Sequence, residues 1–117
     1  MSAAPSSPAR GEVWLVDFDP TRGHEQAGRR PALVISTNPF NQSTAGLVIV
    51  LPLTSKDKKI RSHIRVEPPE AGLKVTSFVK CEDIRSVAAE RLSRRWGRVS
   101  AQTMRAVGET VRILLEL

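Results

Sequence analysis

The sequence predicts a mainly β protein that ends in one α-helix, with its strands in a small, strongly bent antiparallel sheet. Short apolar runs alternate with polar connections that contain glycine, proline and charged residues, which is typical of several short strands. Only the last segment repeats its apolar residues at helical spacing. Strands closed by one terminal helix favour a sheet that packs on that helix and curls into a partly closed barrel.

The first half of the chain contains three predicted strands. The first covers residues 12–18, and its continuous apolar centre indicates burial on both faces. A polar loop, residues 22–31, joins it to a second strand that Pro31 opens and that runs through residue 35, since a strand's first residue need not donate to the ladder. After a turn over residues 38–43, with room for one helical turn, the third strand covers residues 47–53.

The second half contains two further strands and a short one. Residues 62–66 alternate polar and apolar side chains, as a half-exposed strand does, and residues 77–82 read as another strand. A short strand follows over residues 84–87. Residues 91–98 are predicted as a basic connector rather than as a strand.

The last element is predicted as a helix that begins after Ser100. Serine is a good N-cap residue, and Val99 and Met104 have the spacing of a hydrophobic staple around it. One apolar face of the helix is formed by Met104, Val107, Val111, Leu114 and Leu115. The whole pattern favours an SH3-like architecture with a C-terminal helix.

Length and composition predict one domain with a short tail. The chain has 117 residues, 40% of them hydrophobic and 26% charged, which is ordinary for a globular protein with one modest core. Residues 1–9 are small and rich in Pro and Ser, so we expect a disordered tail, followed by a single domain over residues 10–117.

Charge, cysteine content and hydropathy narrow the classes of partner and compartment. The net charge of +6 favours a polyanion, either nucleic acid or an acidic protein segment, without choosing between them. The longest apolar run, residues 47–53, is too short to span a membrane, and the N-terminus lacks the core of a signal peptide, so the chain is predicted to be cytoplasmic. One Cys and two His offer no disulfide and no metal-ligand cluster, and we expect no metal or cofactor.

The polar loop carries the side chains with the most chemistry. Between two buried strands it brings together an imidazole, a carboxylate, an amide and guanidinium groups, among them those of His24, Glu25, Gln26, Arg29 and Arg30. Such groups can hold a phosphate and move protons beside it. The alternative is a solvated hairpin loop, because loops are polar by default.

Three motifs in order resemble the MazF/PemK toxin family. Residues 23–31 match every fixed position of Gly-x-Glu-Gln-x-Gly-x-Arg-Pro, within a similar segment that begins at Val16. Residues 50–55, Val-Leu-Pro-Leu-Thr-Ser, are similar to the exit of the family's third strand. The third match is residues 78–82, Phe-Val-Lys-Cys-Glu, followed by Ile-Arg-Ser-Val at residues 84–87. The resemblance covers roughly residues 10–117.

The resemblance implies a fold, an activity and partners. It implies a fold of the CcdB/MazF/Kid type, an SH3-like barrel with a C-terminal helix, that works as a homodimer. Most members of the family are metal-independent endoribonucleases. They cut single-stranded RNA at short sequences and leave a 2′,3′-cyclic phosphate and a 5′-hydroxyl. A cognate antitoxin with an extended, acidic C-terminal segment blocks their site.

The resemblance also implies roles for four catalytic candidates. Arg30 would stabilise the phosphorane through its planar fork of donors, and Thr54 would hold a non-bridging oxygen through its hydroxyl. His24 titrates near neutrality and suits either proton transfer. Glu25 would serve as the base or orient Arg30 through a salt bridge, and a neighbouring guanidinium lowers a carboxyl pKa, which favours the orienting role.

One motif departs from the pattern of some relatives. They carry Arg-Cys-Asp where this chain has Lys80, Cys81 and Glu82, and in them the Arg and the Asp take part in proton transfer. The charges are kept here, but Lys is not a fork-shaped donor and Glu reaches one methylene further. Cys81 faces the other side of the strand and is predicted to lie in the core.

The remaining candidates are expected to contact RNA. They are polar or charged side chains in or near the three motifs: Gln26, Arg29, Asn41, Lys56, Lys58, Lys80 and Glu82. For the lysines that follow Thr54, a solvated loop is nearly as good an interpretation.

Two other functions stay open at this point. The chain would act without catalysis if it bound a protein target, as the gyrase-poisoning relatives of this fold do, or if it were an inactive RNA-binding module. The gyrase-poisoning relatives lack the Glu-Gln-x-Gly-x-Arg-Pro loop that this chain has. The loop therefore favours the nuclease.

Overall fold

Seven strands and two helices form in the residues that the computed structural model describes, 7–18 and 28–117. The strands are β1 Glu12–Asp17, β2 Arg29–Val34, β3 Leu47–Thr54, β4 His63–Val66, β5 Ser77–Lys80, β6 Arg85–Ala88 and β7 Leu92–Arg98. The helices are α1 Asn38–Asn41 and α2 Ala101–Leu115, and 3₁₀ turns cover Glu70–Gly72 and Ala89–Arg91.

The strands pair antiparallel throughout the described part of the chain, in the order β4-β5-β3-β2-β1-β7. Strand β3 pairs with β6 through residues 47–50 and with β5 through residues 53–54. It therefore carries two different neighbours along one edge, and the sheet divides there. Among the described strands, β4 and β7 do not pair with each other, so the sheet stays open. The predicted class, mainly β with a C-terminal helix, is confirmed.

The central strands are buried on both faces, because apolar clusters lie on each side of the sheet. In β3, Val48 and Val50 belong to one cluster, whereas Leu51 and Leu53 belong to the other, as a period of two requires. The helix and the strands β4 and β5 contribute to the second cluster. The predicted burial of the first strand on both faces is confirmed by Val13 and Val16, which are fully buried in opposite clusters.

The C-terminal helix begins where the sequence places it. The Ser100 hydroxyl accepts a hydrogen bond from the Thr103 backbone N–H at 3.0 Å and caps the first turn. Met104, Val107 and Val111 pack on the sheet as predicted. Leu114 and Leu115, predicted on the same face, are about half exposed, so the apolar face extends past the core it covers.

The basic connector predicted over residues 91–98 is wrong, because residues 92–98 form the strand β7 on the edge of the sheet. An edge strand needs little apolar sequence, and here Leu92 is buried, Trp96 is partly buried and the residues between them are exposed. The register with β1 shifts twice, which breaks the alternation that would reveal a strand.

Other boundaries differ from the prediction by one or two residues. Strand β2 begins at Arg29 rather than at Pro31, and β5 ends at Lys80, before a turn. The predicted tail, residues 1–9, ends earlier, because Pro8 is buried and its carbonyl accepts a hydrogen bond from the Asn41 side chain at 3.0 Å. The predicted disorder of residues 1–6 lies outside the described residues. No helix in the described part of the chain has the length and apolar character needed to cross a membrane.

A backbone-to-backbone contact joins β7 to the turn that follows β4. A Cβ built on Gly97 would lie 2.6 Å from the carbonyl carbon of Ala71, and a Cβ built on Gly72 would lie 2.2 Å from the Trp96 carbonyl oxygen. Gly72 also has a φ of +71°, which disfavours any other residue. The two glycines thus hold the segment after Gly72 against the edge strand.

Replacing Gly97 by Ala tests this contact. Because the added methyl group meets backbone rather than a movable side chain, we expect Gly97→Ala to lower the free energy of unfolding by about 1–3 kcal/mol. Gly108→Ala is the control, since nothing lies within 4 Å of its added Cβ and Ala favours a helix interior. Urea unfolding measures both, and equal stability of Gly97→Ala and wild type would contradict the contact.

Candidate active site

Arg30 and Thr54 lie on neighbouring strands at the same end of the sheet. The register of β2 and β3 pairs Ala32 with Pro52 and Leu33 with Leu51. Continued by two residues, it places Arg30 opposite Thr54. Opposite residues of an antiparallel pair share a face, with Cα atoms about 5 Å apart. The sheet therefore brings together a guanidinium and a hydroxyl that 23 intervening residues separate in the sequence.

A cleft of about 560 Å³ opens at this end of the sheet, and both residues line it. We call it the strand-end cleft. Its walls come from four strands, β2, β3, β5 and β7, and from the segment that begins at Gly72: residues 30–31, 53–55, 72–75, 77 and 94–96. Among the described residues, its lining includes four cationic side chains, Arg30, Lys74, Arg94 and Arg95, and no carboxylate. This chemistry suits a polyanion.

Local structure presents Arg30 at the mouth of the cleft. Gly28 has a φ of +74°, and its carbonyl accepts a hydrogen bond from the Phe18 backbone N–H at 2.9 Å. This bond closes the chain on either side of residues 19–27 and returns it to the sheet. Arg29 and Arg30 follow at once, on opposite faces of β2, and both are exposed.

The Thr54 hydroxyl keeps its own hydrogen available. Its oxygen accepts a hydrogen bond from the Lys56 backbone N–H at 3.2 Å, which fixes the position of the oxygen atom. The hydroxyl can still donate, because accepting one bond does not use its O–H. Lys56 and Lys58 follow Thr54 on an exposed loop beside the cleft.

Three predicted candidates, His24, Glu25 and Gln26, lie outside the described residues. Their attachment points are Phe18 and Gly28, so the segment joins the sheet directly before Arg29 and Arg30.

Lys80 and Glu82 occupy a separate cluster beside the cleft. Thr54 pairs with Phe78, so Lys80 is two residues further along β5, about 7 Å away, and neither Lys80 nor Glu82 lines the cleft. The Lys80 ammonium lies 3.5 Å from the Asp83 carboxylate. The structure therefore does not bring these two side chains into the group formed by Arg30 and Thr54.

The Glu82 carboxylate is held by two neighbours. It accepts a hydrogen bond from the Ser62 hydroxyl at 2.6 Å and contacts His63 Nε2 at 2.8 Å. Partial burial opposes ionisation, but these hydrogen bonds prevail and lower the pKa of Glu82 below its ordinary value. Glu82 is thus a carboxylate at neutral pH, an acceptor rather than a proton donor.

Asn41 has a structural role in the described fold. Its side chain is buried, its amide donates to the carbonyls of Pro8 and Ser36, and its oxygen accepts a short hydrogen bond from the Ser36 hydroxyl. A side chain bonded in this way cannot make the expected contact with RNA, so we remove Asn41 from the candidate site.

Sequence reasoning missed one wall of the cleft. Lys74 was not singled out, and Arg94, Arg95 and Trp96 were assigned to a connector, although they face the cleft from β7. The sequence signal that could have found them is the pair of arginines next to a tryptophan, which is the pairing of cation and aromatic surface that nucleic acids favour.

A buried carboxylate fixes part of that wall. The Glu12 residue is 8% exposed, and its carboxylate accepts from Arg95 Nε at 2.6 Å and from Trp14 Nε1 at 3.0 Å. The Ala9 backbone N–H donates to it as well, at 2.8 Å. Burial alone would raise the pKa of Glu12, but these hydrogen bonds and the Arg95 charge lower it below the ordinary value.

The only cysteine is a core residue, as predicted. Burial raises the pKa of the Cys81 thiol to about 12, and the nearby Glu82 charge adds to the effect. The thiol is therefore protonated and unreactive at neutral pH. Within residues 7–18 and 28–117, no three His, Cys, Asp or Glu side chains gather into a group that could ligate a metal ion.

Comparison with known proteins gives one family. Residues 9–115 match the sequence model of the PemK-like, MazF-like toxins of type II toxin–antitoxin systems. The chain is 38% identical over 113 residues to the endoribonuclease MazF9 of Mycobacterium tuberculosis, an alignment that covers 92% of this chain and 96% of the relative. It is 32% identical over 110 residues to the endoribonuclease MazF of Staphylococcus saprophyticus, covering 92% and 91%.

Solved structures give the same fold. MazF from Deinococcus radiodurans superposes with a TM-score of 0.83 at 31% identity, covering 97% of this chain and 100% of that one. A MazE–MazF complex from the same organism gives a TM-score of 0.81 at 30% identity, covering 97% and 99%.

Glu12→Gln tests the buried carboxylate. The lowered pKa means that Glu12 stabilises the fold above its ordinary pKa of 4.5 and loses this contribution as the pH falls through its lower folded value. We expect the variant to lose about 2 kcal/mol of unfolding free energy at pH 7, because charged hydrogen bonds are removed. The difference from wild type should shrink below about pH 4.5.

Urea unfolding between pH 7 and pH 3 measures the effect. The control is Glu109→Gln, an exposed carboxylate paired with Arg112 on the helix surface, where we expect almost no change. A difference for Glu12→Gln that is constant with pH would contradict the assignment.

Proposed function

Because this chain belongs to the PemK-like, MazF-like toxin family of type II toxin–antitoxin systems, we propose that it is an endoribonuclease toxin. Its substrate is single-stranded RNA, cut at short sequences without a metal ion to give a 2′,3′-cyclic phosphate and a 5′-hydroxyl. The observation that carries the proposal is the strand-end cleft that Arg30 and Thr54 share, to which the described part of the chain contributes cations and no carboxylate. Relatives that align over more than nine-tenths of the chain are named endoribonucleases.

The proposed reaction is an attack of the RNA 2′-oxygen on the adjacent phosphorus. Negative charge grows on the non-bridging oxygens in the phosphorane-like transition state. Arg30 places N–H donors against one oxygen or two, and the Thr54 hydroxyl donates to another. Both residues come from paired strands, so the spacing of their backbones is fixed before the substrate binds.

In this proposal, side chains of the polar loop transfer the protons. His24 suits the removal of the 2′-hydroxyl proton or the protonation of the leaving 5′-oxygen. Glu25 acts as the base or orients Arg30. Glu82 is held by Ser62 and His63 with a lowered pKa, which disfavours it as an acid.

Substrate binding uses side chains around the catalytic pair. We assign contacts with the RNA backbone or bases to Gln26, Arg29, Lys56 and Lys58, and contacts at the neighbouring cluster to Lys80 and Glu82. Lys80 is one row of side chains away from Thr54, and Glu82 contacts His63, the residue opposite Lys80 on β4, which suits a nucleotide next to the cleaved one.

The family supplies the proposed partners. The similar Deinococcus radiodurans toxin has been solved with MazE. We propose a cognate antitoxin with an acidic C-terminal segment, which would be complementary to the cationic cleft. We also propose a homodimer, supported by apolar side chains at the end of the last helix that are between 45% and 75% exposed: Ile113, Leu114, Leu115 and Leu117. The proposed site of action is the cytoplasm, where its RNA substrates are.

Arg30→Ala tests the function directly. We expect purified wild-type protein to cut a labelled RNA in the presence of EDTA, and the variant to be at least about 100-fold slower, because the charge on the transition state loses its donor. Arg105→Ala, an exposed arginine of the last helix, is the matched control and should cut normally. Circular dichroism verifies that both variants fold.

Two outcomes would contradict the proposed metal-independent reaction at Arg30. One is cleavage that disappears in EDTA and returns with a metal ion. The other is cleavage that is unchanged in Arg30→Ala. RNA binding without any cleavage would favour an inactive binding module instead.

The Thr54 hydroxyl is tested with a pair of substitutions. Thr54→Val keeps the shape and removes the donor, and we expect a loss of about 10- to 100-fold in kcat/KM, as for a hydrogen bond to a charged group. Thr54→Ser restores the hydroxyl and should recover most of the activity. Equal rates for the two variants would show that the hydroxyl takes no part in the reaction.

A further inference from the structure

The strand-end cleft holds more positive charge than one phosphate requires. Of its four cations, Arg30 is assigned to the scissile phosphate, and Arg95 is bound by the Glu12 carboxylate at 2.6 Å. Arg94 and Lys74 are exposed, and neither forms an ion pair with another described residue. Two cations without an ion-pair partner in residues 7–18 and 28–117 therefore line a cleft to which those residues contribute no anion.

Arg94 approaches the cleft from a different side than Arg30. Arg94 is opposite Leu15 on β1, and Leu15 is opposite Pro31 on β2, so Arg94 is two strand spacings, about 10 Å, from Pro31. These three residues share one face of the sheet, whereas Arg30, adjacent to Pro31, points to the other face. Arg94 is therefore placed to contact a different phosphate from the one that Arg30 and Thr54 hold.

Lys74 is held across from β7 by the glycine contact described above. Gly72 and Gly97 allow the backbone of the segment 72–75 to lie directly on the edge strand, with no space for a Cβ at either position. The wall formed by Lys74, Arg94 and the partly buried Trp96 is thus built before a ligand arrives. A preformed wall spends little binding free energy on ordering.

The size of the cleft exceeds that of a single phosphate group. A volume of about 560 Å³ lies in the range of pockets that hold a whole small organic ligand. The Trp96 side chain adds apolar surface, and the hydroxyls of Ser55 and Ser77 add hydrogen-bonding groups. The lining therefore offers cations for a phosphate, hydroxyls for a sugar and apolar surface for a base.

We infer that the strand-end cleft contains a second phosphate subsite, formed by Arg94 and Lys74, for a nucleotide that flanks the cleaved one in single-stranded RNA. The inference rests on the proposed nuclease function and extends it to the path of the RNA, which crosses the end of the sheet from Arg30 toward β7. Arg94 and Lys74 act in binding and leave the chemical step to the catalytic pair.

The first test is kinetic and uses the full chain. The double variant Arg94→Ala, Lys74→Ala is compared with wild type on an RNA that contains one cleavage site, after wild type has been used to map that site. We expect KM to rise about tenfold with kcat unchanged, because the removed cations bind substrate and transition state alike. The slope of log(1/KM) against log salt should become less negative by about 0.7 for each phosphate that the variant no longer binds.

The second test locates the phosphate. Each phosphate that flanks the cleavage site is replaced, one at a time, by an uncharged methylphosphonate. Wild type should show a raised KM at one particular position, and Arg94→Ala should be insensitive to the same replacement, since it no longer has the guanidinium that binds that phosphate. The control is Arg105→Ala, which should behave as wild type at every position.

The outcomes separate the inference from the function on which it rests. If wild type does not cut RNA, the proposed function fails. If wild type cuts and the double variant cuts with the same KM and salt slope, the nuclease stands and the subsite is wrong. The subsite is also wrong if the double variant keeps its KM for RNA but loses inhibition by poly-glutamate, because the cations would then serve an acidic polypeptide.

Discussion

The burial of β2 and β3 on both faces is the constraint on which the rest of the structure depends. A shift of one residue between these strands would move every side chain to the opposite face and expose one apolar cluster while overfilling the other. With Leu33 and Leu51 in one cluster and Val34 and Val50 in the other, any shift by an odd number of residues is excluded. The observed register, continued two residues beyond the Ala32–Pro52 pair, places Arg30 opposite Thr54. The geometry of the candidate site is therefore a consequence of the core.

The carboxylates near the cleft bind neighbouring side chains of the same sheet. Glu12 is the buried carboxylate of the β1–β7 pair, and it binds Arg95 while leaving Arg94 exposed on the cleft. Asp83 and Glu82 bind Lys80, Ser62 and His63 in the neighbouring cluster. These carboxylates thus fix individual side chains beside the cleft, and none of them enters its lining. The cleft keeps its positive potential because these carboxylates lie outside its lining.

The sequence was sufficient for the elements whose local chemistry agrees with their packing. The Ser100 cap and the spacing of Met104, Val107 and Val111 predicted α2 within a residue, because each of these signals acts locally. Arg30 and Thr54 were found through motifs, and no periodicity could have shown that they share a cleft. Their proximity depends on the pairing of strands that are distant in the chain.

The sequence predictions that failed also have physical causes. Strand β7 was missed because it is an edge strand with a bulged register. Its polar and apolar side chains therefore do not alternate as they do in a regular strand. Missing β7 removed Arg94 and Trp96 from the candidate site. Asn41 was assigned to RNA from an approximate match to the family, whereas its amide donates to the carbonyls of Pro8 and Ser36. Asn, Asp, Ser and Thr in turns commonly hydrogen-bond to the backbone, which removes them from contact with a ligand.

The division between the cleft and the Lys80–Glu82 cluster bears on which groups move protons. A proton carrier must come within hydrogen-bond reach of the reacting oxygen, about 3 Å. Lys80 is a row of side chains away from Thr54, and both Lys80 and Glu82 are bound by other partners. The polar loop, in contrast, joins the sheet at Gly28, directly before Arg29 and Arg30. His24 and Glu25 are therefore the proton carriers that we propose. Lys80 and Glu82 keep the charges of the Arg and Asp found in some relatives. They fit a binding role at the adjacent nucleotide, where the charge matters more than the planar geometry of a guanidinium.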